Sequence, residues 1–96
     1  MRLVYSVEAV ADLIRLREFI AAHDPASAGR IGEELLTRIA LVCRFPELGK
    51  GVPSAPDPEM VRDAIFGKYV VRYTIHPGSI VVLRVWHQFE DRDPGN

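Results

Sequence analysis

Three strand-like runs, Met60 to Ile65, Tyr69 to His76 and Ile80 to His87, crowd the last third of the chain with three residues between neighbours. Strands separated by so little chain leave no room for a crossover, so they must pair antiparallel as a meander. Arginines recur along it at Arg62, Arg72 and Arg84 inside otherwise apolar sequence. Side chains alternate faces along a strand, so loop length decides which residues share a face. With Pro77-Gly78-Ser79 as a three-residue loop, Arg72 lies opposite Arg84, and Val71, Tyr73 and Ile75 lie with Val81, Leu83 and Val85 as a core face. A two-residue loop would instead set Arg84 opposite Val71, among apolar positions, and an L-proline-glycine pair suits such tight hairpins poorly. With Phe66-Gly67-Lys68 as the other loop, Arg62 joins Arg72, and Arg62, Arg72 and Arg84 cross three strands in one row.

Before that meander the periodicity is helical. Arg2 to Tyr5 suits an opening strand, and Ser6 offers a hydroxyl to cap a helix beginning near Val7 and ending around Ala22. Val10, Leu13, Leu16 and Ile20 recur at three- and four-residue steps, with Asp12, Arg15 and Glu18 between them as a wet face. Asp24-Pro25 reads as a second helix start, aspartate as N-cap and proline in the first turn. Ala28, Ile31, Leu35, Ile39 and Val42 form the buried stripe of that helix, which stops at Phe45-Pro46. Pro46 to Pro58 holds four prolines and two glycines, a proline-stiffened loop that supplies neither helix nor central strand. The expected fold is α+β: an N-terminal strand and an α-helical hairpin packed on one face of a small antiparallel sheet, in the order β-α-α-β-β-β.

A chain of 96 residues with 48% hydrophobic content suits a single domain over 1–96, with a frayed tail over 90–96. A net charge of −1 and a pI near 6.3 argue against coating nucleic acid by bulk electrostatics. The single Cys43 allows neither an internal disulfide nor a cysteine cluster for zinc, and on a helical pattern it reads as a small buried apolar residue. Glu8, Asp12 and Glu18 interrupt the first twenty residues, so no signal-peptide core is present, and no apolar run approaches membrane-spanning length. The expected compartment is the cytoplasm, with no membrane partner.

Three like charges in a cross-strand row repel unless an anion, a carboxylate or solvent offsets them. The row is therefore an anion- or partner-binding face, or else three solvated arginines whose stems lie on the sheet. His87 titrates near neutrality and suits acid-base work, with Arg84 and Arg92 to stabilise a phosphate; it equally suits a strand-end histidine bonded to backbone. Trp86 either stacks on a base or partner or covers the sheet edge. His23, His76 and His87 lack ligand spacing, so no metal is assigned, and no cofactor is expected because no phosphate loop, dinucleotide fingerprint or nucleophile elbow is present.

Ala11-Asp12-Leu13 in the first helix, Phe45-Pro46-x-x-Gly49 after the second, Val61-Arg62 opening a strand, Tyr69-x-x-Arg72-Tyr73 in the next and Val85-Trp86-His87 in the last occur in this order. Together they resemble the RelE/ParE superfamily of type II toxin-antitoxin toxins over nearly the whole chain. The resemblance implies a cytoplasmic toxin, a cognate antitoxin whose C-terminal segment wraps it, and a toxin-antitoxin hetero-oligomer. One branch cuts messenger RNA on the ribosome without a metal; in it Arg62, Arg84 and His87 would be the catalytic candidates. This chain has Gln88 where members of that branch carry a tyrosine, and it lacks their lysine cluster, with only Lys50 and Lys68. The ParE-like branch poisons DNA gyrase and needs no hydrolytic set, and the chain looks closer to it. Arg62, Arg72, Arg84, Trp86, His87 and Arg92 are then candidates for contact with target or antitoxin. A third reading is a non-catalytic protein- or DNA-binding module.

Overall fold

The computed structural model describes residues 1–90. Strand β1 (Arg2–Tyr5) leads into helices α1 (Val7–His23) and α2 (Ala28–Arg44), followed by strands β2 (Lys50–Gly51), β3 (Val61–Phe66), β4 (Tyr69–His76) and β5 (Ser79–His87). They form one sheet in the order β1-β5-β4-β3-β2, with the helical hairpin covering one face. The expected α+β class and element order hold, with two corrections. The sheet is mixed, because β1 lies parallel to β5 and pairs Arg2 with Ser79 through Tyr5 with Val82; the long crossover such pairing requires is the rest of the chain. The stretch read as loop also contributes β2, two residues paired with Arg62 and Asp63 at the sheet edge, where nearby prolines interrupt no inner ladder. Of the expected 90–96 tail, only Glu90 lies within the described residues; the rest, Arg92 included, lies outside them.

Both meander loops are two residues long, not three. Phe66 pairs with Tyr69 and His76 with Ser79, leaving Gly67-Lys68 and Pro77-Gly78 as the turns. Gly67 and Gly78 take φ of 62° and 76°, which residues with a Cβ rarely adopt, and this lets the turns close so tightly. The first turn sets Asp63 opposite Arg72 and Arg62 opposite Tyr73, so Arg62 and Arg72 point to opposite faces. The second turn would by parity carry Arg84 into the core, but an irregularity intervenes. Tyr73 pairs with Val82 while Arg72 pairs with Arg84, so Leu83 is an extra residue in β5. This bulge resets the alternation, and Ile80, Val82, Val85 and His87 are all buried. Arg72 therefore does lie opposite Arg84, through a bulge and not through a longer loop.

Helix α1 is turned from its expected phase. Its buried residues are Ala9, Asp12, Leu16 and Ile20, whereas Val10 is 45% exposed. The cause is the carboxylate. β1 stops pairing at Val82, and beyond it the outer edge of β5 meets α1 instead of another strand. Ser6 caps α1 by accepting from the Ala9 N–H at 3.0 Å and donates its own hydroxyl to the Leu83 carbonyl at 2.9 Å. One turn on, Asp12 Oδ2 accepts the Val85 N–H at 2.9 Å, while Arg15 donates to the Val85 carbonyl at 3.2 Å. Asp12 also receives a fork from Arg84, at 2.8 and 3.1 Å, and a bond from Arg15 at 2.5 Å. Burial alone would raise the Asp12 pKa; the hydrogen bonds from Arg84, Arg15 and Val85 outweigh it and hold the carboxyl below its ordinary value.

The second helix also starts later than expected. Asp24 ends α1 through its N–H on the Ile20 carbonyl, its own carbonyl takes the Ser27 N–H in a turn, and α2 begins at Ala28. Leu35, Ile39 and Val42 are buried, while Ala28, Ile31 and the free Cys43 are half-buried. On the central strand β4, the fully buried Tyr73 donates its hydroxyl to the Pro46 carbonyl at 2.6 Å and accepts the Gly49 N–H at 2.9 Å. A Cβ on Gly49 would lie 2.9 Å from the Asp63 backbone and from that hydroxyl, so the position admits no side chain without displacement.

Asp12→Ala should lower stability by about 2–4 kcal/mol in chemical denaturation, since it strands the Val85 N–H and the Arg84 guanidinium at once, while Arg15 keeps Glu90. The folded pKa of Asp12 lies below its free value of 3.8, so its stabilisation is complete above that value and disappears as pH falls through the folded one. The variant should therefore show a shallower loss of stability on acidification than the wild type. Tyr73→Phe leaves the Pro46 carbonyl and Gly49 N–H without their partner and should cost about 1–3 kcal/mol, with faster hydrogen exchange at the Gly49 amide.

Candidate functional site

Each of the three arginines of the expected row has a carboxylate partner, and the three do not share one face. Arg62 lies on the Tyr73 side of β3. It donates to the Gly49 carbonyl at 2.9 Å and the Glu59 carbonyl at 3.1 Å, with the Glu59 carboxylate at 3.2 Å. Arg84 turns to Asp12 of α1. Arg72 stays on the sheet face away from the helices, forked onto Asp63 at 2.8 and 3.0 Å, with its guanidinium 5.3 Å from the centre of the Trp86 ring. Trp86 pairs with Val70, which pairs in turn with Ile65, so this open face carries an apolar row beside one arginine-carboxylate pair.

His87 lies on the other side of the sheet. Its ring is buried among Phe19 of α1, Tyr69 of β4 and Phe89, with centroid separations of 5.4, 5.1 and 5.2 Å. Its Nδ1 accepts the Phe89 N–H at 3.0 Å, and its own N–H donates to Glu90, which also holds Arg15 at 2.9 Å. Burial lowers the His87 pKa from 6.5, and the Lys68 ammonium lowers it further. The structure thus brings together Arg72 with Trp86, and Arg84 with Asp12, but sets His87 apart from Arg72 and Arg62. Arg92 lies outside the described residues. Among the described residues no group of three His, Cys, Asp or Glu side chains is close enough to hold a metal, and no helix is long and apolar enough to cross a membrane.

An apolar groove between the helices is absent from the sequence reading. A cavity of about 490 Å³ opens between α1 and α2, lined by Val10, Leu13, Ile14, Ala28, Gly32 and Leu36 among others. Val10, Ile14 and Leu36 are 45%, 47% and 47% exposed. Gly29 and Gly32 leave it open, since a Cβ at either would meet nothing within 4 Å. The signal was present in sequence: Val10 and Ile14, four residues apart, form a second apolar stripe on α1, and α2 places two glycines opposite it. Assigning Val10 to the core hid it.

The family model for the ParE toxin of type II toxin-antitoxin systems (parDE) matches residues 3–92. The toxin RelE1 of Caulobacter vibrioides is 32% identical over 90 residues, spanning 91% of this chain and 92% of its own. The toxin RelE2 of the same organism is 29% identical over 86 residues, spanning 90% and 93%. Among solved structures, a chromosomal ParDE TA system from P. aeruginosa superposes with a TM-score of 0.75 at 19% identity, covering 91% of this chain and 95% of that one. The toxin-antitoxin complex RelBE2 from Mycobacterium tuberculosis gives 0.59 at 22% identity, covering 93% and 92%. The two likenesses share the fold, a strand, two helices and a mixed sheet. The chain belongs to the ParE toxin family of type II toxin-antitoxin systems, within the RelE/ParE superfamily.

Proposed function

We propose that this protein is a ParE-like toxin that arrests growth by binding DNA gyrase and is neutralised by a cognate antitoxin. The observation that carries the reading is the dispersal of the ribonuclease candidates. Metal-free cleavage of RNA needs an acid-base group and cationic stabilisers converging on one phosphate. Here Arg84 is held by Asp12, Arg62 by the Gly49 and Glu59 carbonyls, and His87 is buried behind the sheet with its Nδ1 engaged by backbone. Such an arrangement supports a toxin that acts by binding rather than by hydrolysis. Arg72 and Trp86, on the open face, are the proposed target contacts.

The apolar groove between α1 and α2 supports the antitoxin half of the reading. Its exposed aliphatic lining suits a helix or extended segment bearing aliphatic side chains, a recognition mode that buries apolar anchors at regular spacing. The solved relatives include a ParDE TA system and a RelBE2 toxin-antitoxin complex, and a cognate antitoxin is the partner proposed for the groove. The alternative target, messenger RNA on the ribosome, is favoured by the RelE names of the Caulobacter vibrioides relatives.

Purified toxin should inhibit gyrase supercoiling or trap cleaved DNA complexes, with relief by the cognate antitoxin, and should leave messenger RNA intact in a translating ribosome extract. Codon-phased cleavage of the messenger with gyrase unaffected would overturn the gyrase reading in favour of the nuclease. For the groove, Ile14→Glu should weaken antitoxin binding by about tenfold or more with an unchanged melting temperature, as expected for a charge placed in an apolar anchor site. Arginine-to-alanine tests must be chosen by position: Arg84→Ala strands a carboxylate that is 2% exposed and lowers stability, whereas Arg72→Ala leaves Asp63 27% exposed to solvent and probes the open face at a smaller cost.

A further inference from the structure

We propose that His87 is a proton-operated latch that holds the Gln88–Glu90 turn against the end of β5 while neutral and releases it when protonated. The geometry carries this directly. Nδ1 of His87 accepts the Phe89 N–H at 3.0 Å, which requires a lone pair on that nitrogen. An imidazolium carries hydrogens on both ring nitrogens, so the bond exists only with the neutral ring. The same turn is closed by the Glu90 N–H on the His87 carbonyl at 2.9 Å and by the Glu90 carboxylate on the His87 N–H. Glu90 in turn reaches Arg15, which also touches Asp12 and the Val85 carbonyl. Proton binding at one ring nitrogen therefore loosens a chain of contacts running from the terminal turn to the edge of β5.

The surroundings set the direction of the switch. From α1, His23 stacks on Phe19 at 4.3 Å, and Phe19 covers one side of His87. From the β3–β4 turn comes Lys68, from β4 the edge of Tyr69, and from the terminal turn Glu90. Burial, Lys68 and His23 disfavour the charged ring, while Glu90 favours it, with burial the largest influence. The Tyr69 phenol, its own pKa raised by burial, carries no charge near neutrality. Because folding lowers the His87 pKa from 6.5, the latch is closed above that value and opens as pH falls through the folded one.

The test is a nuclear magnetic resonance titration of the whole chain from slightly alkaline to acidic pH, following the His87 ring and the Phe89 and Glu90 amides. In the wild type, both amides should shift with the midpoint of the His87 ring, below 6.5. In His87→Asn, whose side-chain oxygen accepts from the Phe89 N–H without titrating, the two amides should stay level over the same range. In His23→Gln, the Phe89 amide should still follow the His87 ring, with their shared midpoint moved upward because one group that disfavours the charged ring is gone. Amides that ignore the His87 midpoint, an imidazole that stays neutral until the whole fold unfolds, or an unchanged amide titration in His87→Asn would each overturn the latch.

Discussion

The fold depends on one buried carboxylate placed where a strand runs out. β1 covers β5 only as far as Val82, yet β5 continues to His87, and its unsatisfied backbone groups beyond that point would be costly if buried or would offer an edge for pairing with another chain. Helix α1 closes the gap with side chains. Ser6 takes the Leu83 carbonyl, Asp12 the Val85 N–H and Arg15 the Val85 carbonyl, so a helix satisfies hydrogen bonds that a sixth strand would otherwise make. Ser6 acts from the N-cap, and Asp12 and Arg15, three residues apart, share one side of the helix, so turning that side to β5 buries Asp12 and leaves Val10 and Ile14 facing outward. The apolar groove is thus a consequence of the Ser6, Asp12 and Arg15 contacts to β5: rotating α1 to satisfy that strand exposes the aliphatic stripe that a simple amphipathic helix would bury.

How much was legible in the sequence follows from which signals are local. The element order, the Ser6 cap and the antiparallel meander rest on periodicity and turn chemistry within a few residues, and they hold. The burial of Asp12 did not follow from periodicity, because an aspartate between apolar positions reads as a wet face until the Val85 N–H and the Arg84 guanidinium are brought to it from more than seventy residues away. The bulge at Leu83 is invisible for a related reason. An extra residue changes parity midway along a strand, and only the demand that Val85 and His87 also be buried reveals it. Two departures from the expected register thereby cancelled at Arg72 and Arg84, while the uncompensated one at Gly67-Lys68 separated Arg62 from them.

That separation changes what the arginines mean. A row of three like charges would need an external anion, but the observed pairing supplies an internal carboxylate to each: Glu59, Asp63 and Asp12. Arg84 and Arg62 serve the architecture, one tying α1 to β5 and the other fixing the Gly49 loop together with Tyr73. Ion pairs of this kind add less net stability than their number suggests, because desolvation offsets attraction; their value is that breaking one partner leaves the other stranded. The charge that looked like a ligand site is therefore neutralised within the chain, at Arg84 by a buried carboxylate and at Arg62 by the exposed Glu59.

What the surface offers a partner is accordingly more apolar than ionic. On the open face, Arg72 is neutralised by Asp63 and stacked on Trp86 beside Val70 and Ile65; on the helical side, Val10, Ile14 and Leu36 frame a groove. A nucleic acid backbone is recognised chiefly by unneutralised cations releasing counterions, and a net charge of −1 with paired arginines gives little of that driving force. Protein partners are recognised by apolar anchors in a fixed frame with polar groups already satisfied around them. The two surfaces lie on opposite sides of one sheet, so a segment seated in the groove need not cover Trp86. If the open face meets the target, neutralisation requires the antitoxin to extend around the sheet edge or to fill the space the target needs. A groove-bound segment alone would leave the target face free.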